Sequence, residues 1–390
     1  MNVGKPEILQ RDGDAVYRVR VDWAQGTTEL AYRLPDTFRD FLTDLSDAPV
    51  VALLIPAMAS GEDMHVRGDL SEQLWFQLSG PYQRLLQQVI PSLRRVRILP
   101  AGVRTGMQRA PGVATGFSAG IDSFCVLADH HYAAPPAGFR LTHLLFNNVG
   151  SHGTGPAAGR LFRDRHARLA PVAERIGLPL IRVDSNVDAF YGTGLGFQQT
   201  HTPRNASVPL LLQGGIGRFL YASTYADADA FVGPSIDMAF SDPMALPMLC
   251  TEALDALSVG GEYTRVAKTL RVAEIPDSLG ALDVCAGGQR AGNCSTCVKC
   301  MRTLLTLEIA GVSERYARSF DLEAYRRRRG TFVAHLLTGS QPLQREIIQF
   351  ARERGFTFPF RARGRAHVRR AGRLLRWLAG RLAPSRRHRT

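Results

Sequence analysis

The chain has no long apolar run. Its longest, residues 49–59 (PVVALLIPAMA), falls well short of the ~20 residues that a helix needs to cross a bilayer. The first residues, MNVGKPEILQRDGD, have neither the apolar core nor the cleavage site of a secretory signal, so the expected setting is a reducing cytoplasm. Cysteine is sparse: six in 390 residues, with four of them bunched, which excludes a disulfide framework along the chain. Residues 361–390 contain no Asp, Glu or Lys but eleven Arg. The net charge of +13 is therefore mostly a property of this tail, and the remaining chain is nearly balanced. Ala371, Leu374, Leu375, Leu378 and Leu382 recur there at helical spacing beside Trp377. The segment reads either as a basic amphipathic helix for RNA or an anionic membrane, or as a solvated tail.

What is present is ample material for a core. With 390 residues and 45% hydrophobic side chains, two or three domains are expected. Residues 15–23 alternate, placing Tyr17, Val19, Val21 and Trp23 on one strand face, with a partner strand over residues 29–34. Residues 50–55 read as a buried strand, 70–89 as helix broken near Gly80-Pro81, and 95–99 as another strand. This N-terminal α+β domain, residues 1–108, carries no motif.

From residue 109 the pattern changes to strand–loop–helix units. Strands are expected over residues 113–117, 141–147 and 179–184, and helices over 123–131 and around Leu169, Val172, Ala173 and Ile176. Such alternation predicts a parallel sheet with helices on both faces, binding ligands at the carboxyl ends of its strands. This α/β domain runs to residue 312. A helical, Arg-rich segment, 313–360, follows, in which Arg326 to Arg329 read as a solvated face.

Two motifs carry chemistry. Cys285, Cys294, Cys297 and Cys300 have the spacing C-x8-C-x2-C-x2-C, which lets a knuckle over residues 285–300 hold a tetrahedral Zn²⁺, with Gly287, Gly288 and Gly292 supplying its turns. Four protein ligands leave no open position, so the zinc is expected to be structural. Cys125 and Cys250 stand apart and read as buried thiols. The second motif is Ser118-Ala119-Gly120-Ile121-Asp122-Ser123, between a strand and a helix. Backbone amides, a helix N-terminus and hydroxyls at such a place suit phosphate.

The run 118–123 resembles the phosphate loop, S-G-G-x-D-S, of the N-type ATP pyrophosphatases (the PP-loop superfamily). The cysteine spacing is similar to that of one branch, 7-cyano-7-deazaguanine synthase. Thr202-Pro203-Arg204-Asn205 resembles the family's P-x-R-N run before a helix, and Gly233 to Asp237 with Ser241-Asp242-Pro243 resembles its G-x-N-x-x-D and Y-P-D region. The resemblance covers residues 112–305 and implies an adenine nucleotide alpha hydrolase-like fold. It also implies ATP cleavage between the α and β phosphates, adenylation of a carboxylate or carbonyl oxygen, and displacement of AMP by ammonia or an amine. Carried over by position, Ser118, Ala119, Gly120, Ile121, Asp122 and Ser123 would hold the pyrophosphate, Asp122 also ordering Mg²⁺. Arg204 would offset charge on phosphate, Asn205 would position adenylate or substrate, and Asp237 and Asp242 would meet substrate or metal. Lys299 and Arg302 flank the knuckle within reach of phosphate, or balance the thiolates. His152 and His201 are candidate general bases.

The sequence departs from the family in three places. Ala119 replaces a Gly, which suits a negative φ with the methyl turned away from ATP. Asn147 to His152 stands where the synthase has a Tyr-Gly-Gln run, and the N-terminal domain is additional. Competing readings are tRNA modification, favoured by the basic tail, and a non-catalytic ATP-binding subunit. A homo-oligomer is compatible with each.

Overall fold

The structure is a computed structural model, which describes residues 1–153, 155–192, 194–285, 291–366 and 368. The tail positions from Ala371 to Leu382, and Gly287 and Gly288 of the knuckle, lie outside the described residues.

Among the described residues, eleven strands form one sheet. They are β1 Asn2–Val3, β2 Glu7–Arg11, β3 Asp14–Trp23, β4 Gly26–Pro35, β5 Met64–Ser71, β6 Ile98–Arg104, β7 Gly112–Gly116, β8 His143–Asn148, β9 Leu180–Ser185, β10 Ile216–Ala222 and β11 Asp255–Val259. The order is β11-β10-β7-β8-β9-β4-β3-β1-β5-β6, with β2 paired to β3 off this path. From β11 to β9 every pairing is parallel. The parallel sheet expected for residues 109–312 is found in these five strands, and β5 pairs parallel with β1 and β6 in the N-terminal part. β4 joins β9 antiparallel, with Tyr32 opposite Ser185 and Arg33 opposite Asp184, so the whole sheet is mixed. The boundary placed at residue 108 falls between β6 and β7, and the sheet continues across it.

The helices are α1 Asp47–Ser60, α2 Glu72–Ser79, α3 Pro81–Val89, α4 Ile121–Leu127, α5 Gly155–Ile176, α6 Phe197–Leu211, α7 Asp242–Ala245, α8 Arg265–Ala273, α9 Val298–Ile309, α10 Leu322–Leu336 and α11 Pro342–Glu353. Successive side chains of a strand point to opposite faces, and here they feed two cores. Ala114 and Leu145 pack with α1 and α6 on one face. Val113, Leu144 and Phe146 pack with α4, α5 and α9 on the other.

Residues 50–55 form no strand. They lie inside α1, which is buried from Asp47 to Met58. A run that is apolar on every side has no period, so its sequence does not separate a buried strand from a buried helix. The helix accommodates Pro56 because Tyr191 supplies the missing donor: its hydroxyl reaches the Ala52 carbonyl at 2.8 Å, the group that a residue 56 N–H would serve. The Arg-rich run in α10 is a face of ion pairs, Arg326 with Glu314 at 2.6 Å and Arg329 with Glu308 at 2.5 Å. Among the described residues, no helix is long and apolar enough to cross a membrane.

The chain runs β7, β8, β9 in one direction, then returns to place β10 on the other side of β7. Loops leaving β7 and β10 therefore diverge, and a crevice opens at the carboxyl end of the sheet. Residues 118–123 leave β7 at this point.

Candidate active site

A cavity of about 490 Å³ occupies the crevice. Residues 116–118 and 120–123 line one side of it, the ends of β8 and β10 contribute Asn147 and Tyr221, and the knuckle closes another side. Gly120 is the N-cap of α4 in extended conformation, and the helical path continues from α4 through a wider turn over Ala128–Tyr132. Ser123 Oγ donates to the Gly120 carbonyl at 3.1 Å. Ala119 departs from expectation. Its φ is +54°, and its methyl is fully buried in the core shared with α4 and α9. The methyl does turn away from the cavity, but the backbone is in the left-handed region that favours glycine.

The charge arrangement was not legible as a motif. Asp122 is paired with Arg265 at 2.8 Å and lies 3.7 Å from the Lys268 ammonium, both from α8. Lys268 is buried and donates to the Ser223 carbonyl and hydroxyl, each at 2.7 Å. Burial holds its pKa below the usual lysine value, against the opposing pull of Asp122. Arg265 lines the cavity beside Lys299 and Arg302 of α9, and Arg165 and Arg168 reach it from α5. Lys299 is exposed by area, but to the cavity; the protein around it, with Arg265 and Arg302, holds its ammonium below the ordinary range. Arg302 is pushed down to about 10 by burial and then by Arg265. Of the chain's three lysines, Lys299 lines the cavity as a compact point charge, the form that suits phosphate oxygens, and Lys268 is buried behind Asp122. Crowded cations of this kind repel one another until an anion arrives.

Arg265, Lys268, Thr269 and Val272 share the buried side of α8 at i, i+3, i+4, i+7 spacing. Two cations on the inner face of a helix are the signal that sequence reasoning passed over.

Of the residues expected at the site, Asn205 lines the cavity and donates from Nδ2 to the His201 carbonyl at 3.0 Å. Arg204 does not line it. Its side chain is buried, ion-paired with Asp188, and lies over the Tyr191 ring at 3.4 Å. The run Thr202 to Asn205 sits within α6, which starts at Phe197 after an extended Gly196, rather than before a helix. Asp237 and Asp242 stand behind the cavity wall. Asp237 accepts from Tyr225 and from the Ala239 N–H, and these bonds with His201 outweigh burial and hold its carboxyl below the usual range. Asp242 is fully buried, accepts from Thr202 at 2.6 Å, and is pushed up to about 6, first by burial. His152 lines the cavity with Nδ1 3.2 Å from Asn148 Oδ1; burial, then Arg165, lowers it to about 4, so it is neutral at pH 7. Cys125 and Cys250 are buried; the thiol of Cys125 is pushed up to about 12 by burial and then by Asp129, far from a reactive thiolate.

The sulfurs of Cys285, Cys294, Cys297 and Cys300 all lie within 4.8 Å of one another. The Cys297 N–H points at Cys294 Sγ at 3.2 Å and the Cys300 N–H at Cys297 Sγ at 3.5 Å. Gly292 turns the chain with φ +96°. Four convergent sulfurs served by backbone N–H groups fit Zn²⁺, and a dication removes the repulsion that four thiolates would feel. The centre adjoins the cavity through Cys285, which lines both.

No family model, curated protein or solved structure matches the chain.

Proposed function

We propose that the chain is an ATP-dependent enzyme of the PP-loop type, which adenylates a carboxylate or carbonyl oxygen and releases pyrophosphate, then AMP as ammonia or an amine attacks. The observation that carries this reading is the cavity at the point where the strand order reverses, with the loop 118–123 on one side and Arg265, Lys299 and Arg302 on another. Polyphosphate is the ligand class that uses all of these groups together.

In this reading the N–H groups of residues 120–123 and the Ser118 and Ser123 hydroxyls bind the β and γ phosphates. Arg265, Lys299 and Arg302 stabilise the charge that builds on pyrophosphate as the α–β bond breaks. Lys268 holds Asp122 in place from behind. Asp122 Oδ1, 3.7 Å from the Lys268 ammonium, makes no hydrogen bond and so has a lone pair left for Mg²⁺, which would screen the phosphate charge. Zn²⁺ on the four cysteines would brace α9 and so Lys299 and Arg302. With Cys125 and Cys250 buried, no accessible thiol stands outside the knuckle, which favours a nitrogen nucleophile over thiolation.

The test is incubation of zinc-replete protein with α-labelled ATP, Mg²⁺, ammonium and a pool of carboxylic acids including 7-carboxy-7-deazaguanine. AMP formed with one acid and lost in Asp122→Ala supports the reading. Bound ATP with no AMP under any condition rejects it.

A further inference from the structure

From the cavity wall inward three side chains stand in line. The Tyr221 hydroxyl is 2.8 Å from His201 Nδ1, and His201 Nε2 is 3.6 Å from Asp237 Oδ1. The tyrosine and imidazole rings are nearly parallel, 8° apart. Tyr221 is the last residue but one of β10 and, with Asn205 and Phe197 of α6, lines the cavity. His201 and Asp237 lie behind it.

The direction of the protons follows from what each group can do. A carboxylate only accepts. Asp237 is held ionised by its hydrogen bonds, so the imidazole presents Nε2–H to it. Nδ1 then carries a lone pair, and Tyr221 O–H donates to that lone pair. The hydroxyl oxygen keeps two lone pairs of its own, one turned to the Asn205 side chain beside it and the other left for the cavity. Thr202 Oγ1, the other group near Nδ1 at 3.3 Å, already gives its proton to Asp242.

We propose that Tyr221 is a catalytic residue of the second half-reaction and takes the proton of the attacking nitrogen, with His201 and Asp237 as the groups that position and drain it. This rests on the ATP-dependent reading of the cavity. Pyrophosphate and AMP are weakly basic leaving groups and need no proton, whereas an amine that becomes an amide must lose one. As the nitrogen lone pair forms the C–N bond, the C–O bond to phosphate breaks and AMP leaves with its electrons. The N–H proton moves to the Tyr221 oxygen as the Tyr221 proton moves to His201 Nδ1. The imidazolium so formed is stabilised by Asp237, and the surplus proton returns by the same path to solvent once product has gone. Burial, followed by Asp242, raises Tyr221 well above the ordinary tyrosine range, so the hydroxyl acts as a conduit and not as a standing phenolate.

Two measurements on the full chain decide it. Histidine-¹⁵N-labelled protein at pH 7 is expected to show His201 as the Nε2–H tautomer, shifting in Asp237→Asn and Tyr221→Phe; an Nδ1–H tautomer overturns the relay. ATP–pyrophosphate exchange, with the acid that supports AMP formation, reports adenylation alone. Product formation with ammonium reports the second step. Tyr221→Phe is expected to keep exchange within about threefold and to slow amide formation by about 10²-fold or more, the usual loss of a general base. His201→Gln is expected to lower kcat for ammonium with little change in KM for ATP. Equal loss of both steps in Tyr221→Phe makes the residue structural and overturns the proposal, as does unchanged amide formation. Absence of exchange in the unsubstituted protein rejects the ATP reading and the catalytic role with it, a result distinct from a failure of Tyr221 alone.

Discussion

The backbone N–H of Asp283 donates to the carbonyl of Ala119 at 2.8 Å, joining the knuckle to the loop that follows β7. The Asp283 carboxylate then accepts from the Cys285 N–H at 3.2 Å and the Gly292 N–H at 3.1 Å. The four-cysteine cluster and the loop 118–123 thus share Asp283 as a common support. If the cluster holds zinc and the cavity ATP, as proposed, removing zinc with a chelator is expected to weaken ATP binding by about tenfold or more, read by calorimetry and restored by added Zn²⁺. Asp283→Ala leaves two N–H groups without their acceptor, and supports of this kind are worth about 10- to 100-fold in metal affinity. Tighter ATP binding by the zinc-free protein would contradict the coupling.

This junction marks what was legible. The four cysteines and the 118–123 run declare themselves because each is a dense local pattern. Strands β3, β4, β7 and β8 follow from alternation and from apolar runs that glycine or proline punctuates. Asp283 carries no such signal: its partners lie on a loop about 160 residues earlier and on the knuckle itself. Arg265 and Lys268 were missed for a related reason. A charged residue on an amphipathic helix reads as solvated unless its phase against Val272 is counted. α1 failed for the opposite reason, since a segment buried on all sides has no phase to count.

Arg204 was assigned to phosphate by position, but its buried guanidinium belongs to Asp188 and the Tyr191 ring. The partner sits 16 residues upstream, in the short turn Val187–Phe190, where no pattern announced it. Arg204→Leu strands a partly buried carboxylate, and breaking a buried pair costs about 3–5 kcal/mol. Asp188 keeps about a quarter of its side-chain surface exposed, so the lower end applies. Denaturant unfolding is expected to register about 3 kcal/mol of lost stability, while the folded protein binds ATP within about threefold of the original. A selective loss of ATP affinity at unchanged stability would return Arg204 to the phosphates.

Ala119 at φ +54° poses a question of sign. An L-residue in this region gives up about 1–2 kcal/mol, which glycine recovers. Against that, Ala119→Gly removes a fully buried methyl worth about 0.8 kcal/mol and adds about 0.4–1 kcal/mol of freedom to the unfolded chain. The terms cancel, so the substitution is expected to change stability by less than about 1 kcal/mol and to leave ATP binding intact. A stabilisation above about 2 kcal/mol would mean that the loop stores more strain than this dihedral accounts for.

Asp242 makes the fold pH-dependent in a direction opposite to that of an ion-paired carboxylate. Burial raises it from 3.8 to about 6, so between these values the folded state binds the proton more tightly than the unfolded state does. Stability from this group is therefore fully present below about pH 4 and is lost as pH rises through about 6. Each pKa unit corresponds to about 1.4 kcal/mol, so the loss approaches about 3 kcal/mol at pH 7. Asp242→Asn keeps an oxygen for the Thr202 hydroxyl and removes the charge. Its amide places a donor where Asp242 Oδ2 now has no partner, which takes back part of the gain. Urea unfolding at pH 8 is expected to find the variant more stable by about 1–2 kcal/mol, with the difference vanishing at pH 4. A variant less stable at pH 8 than at pH 4, relative to the original, would mean that the carboxylate is ionised and paired in the fold.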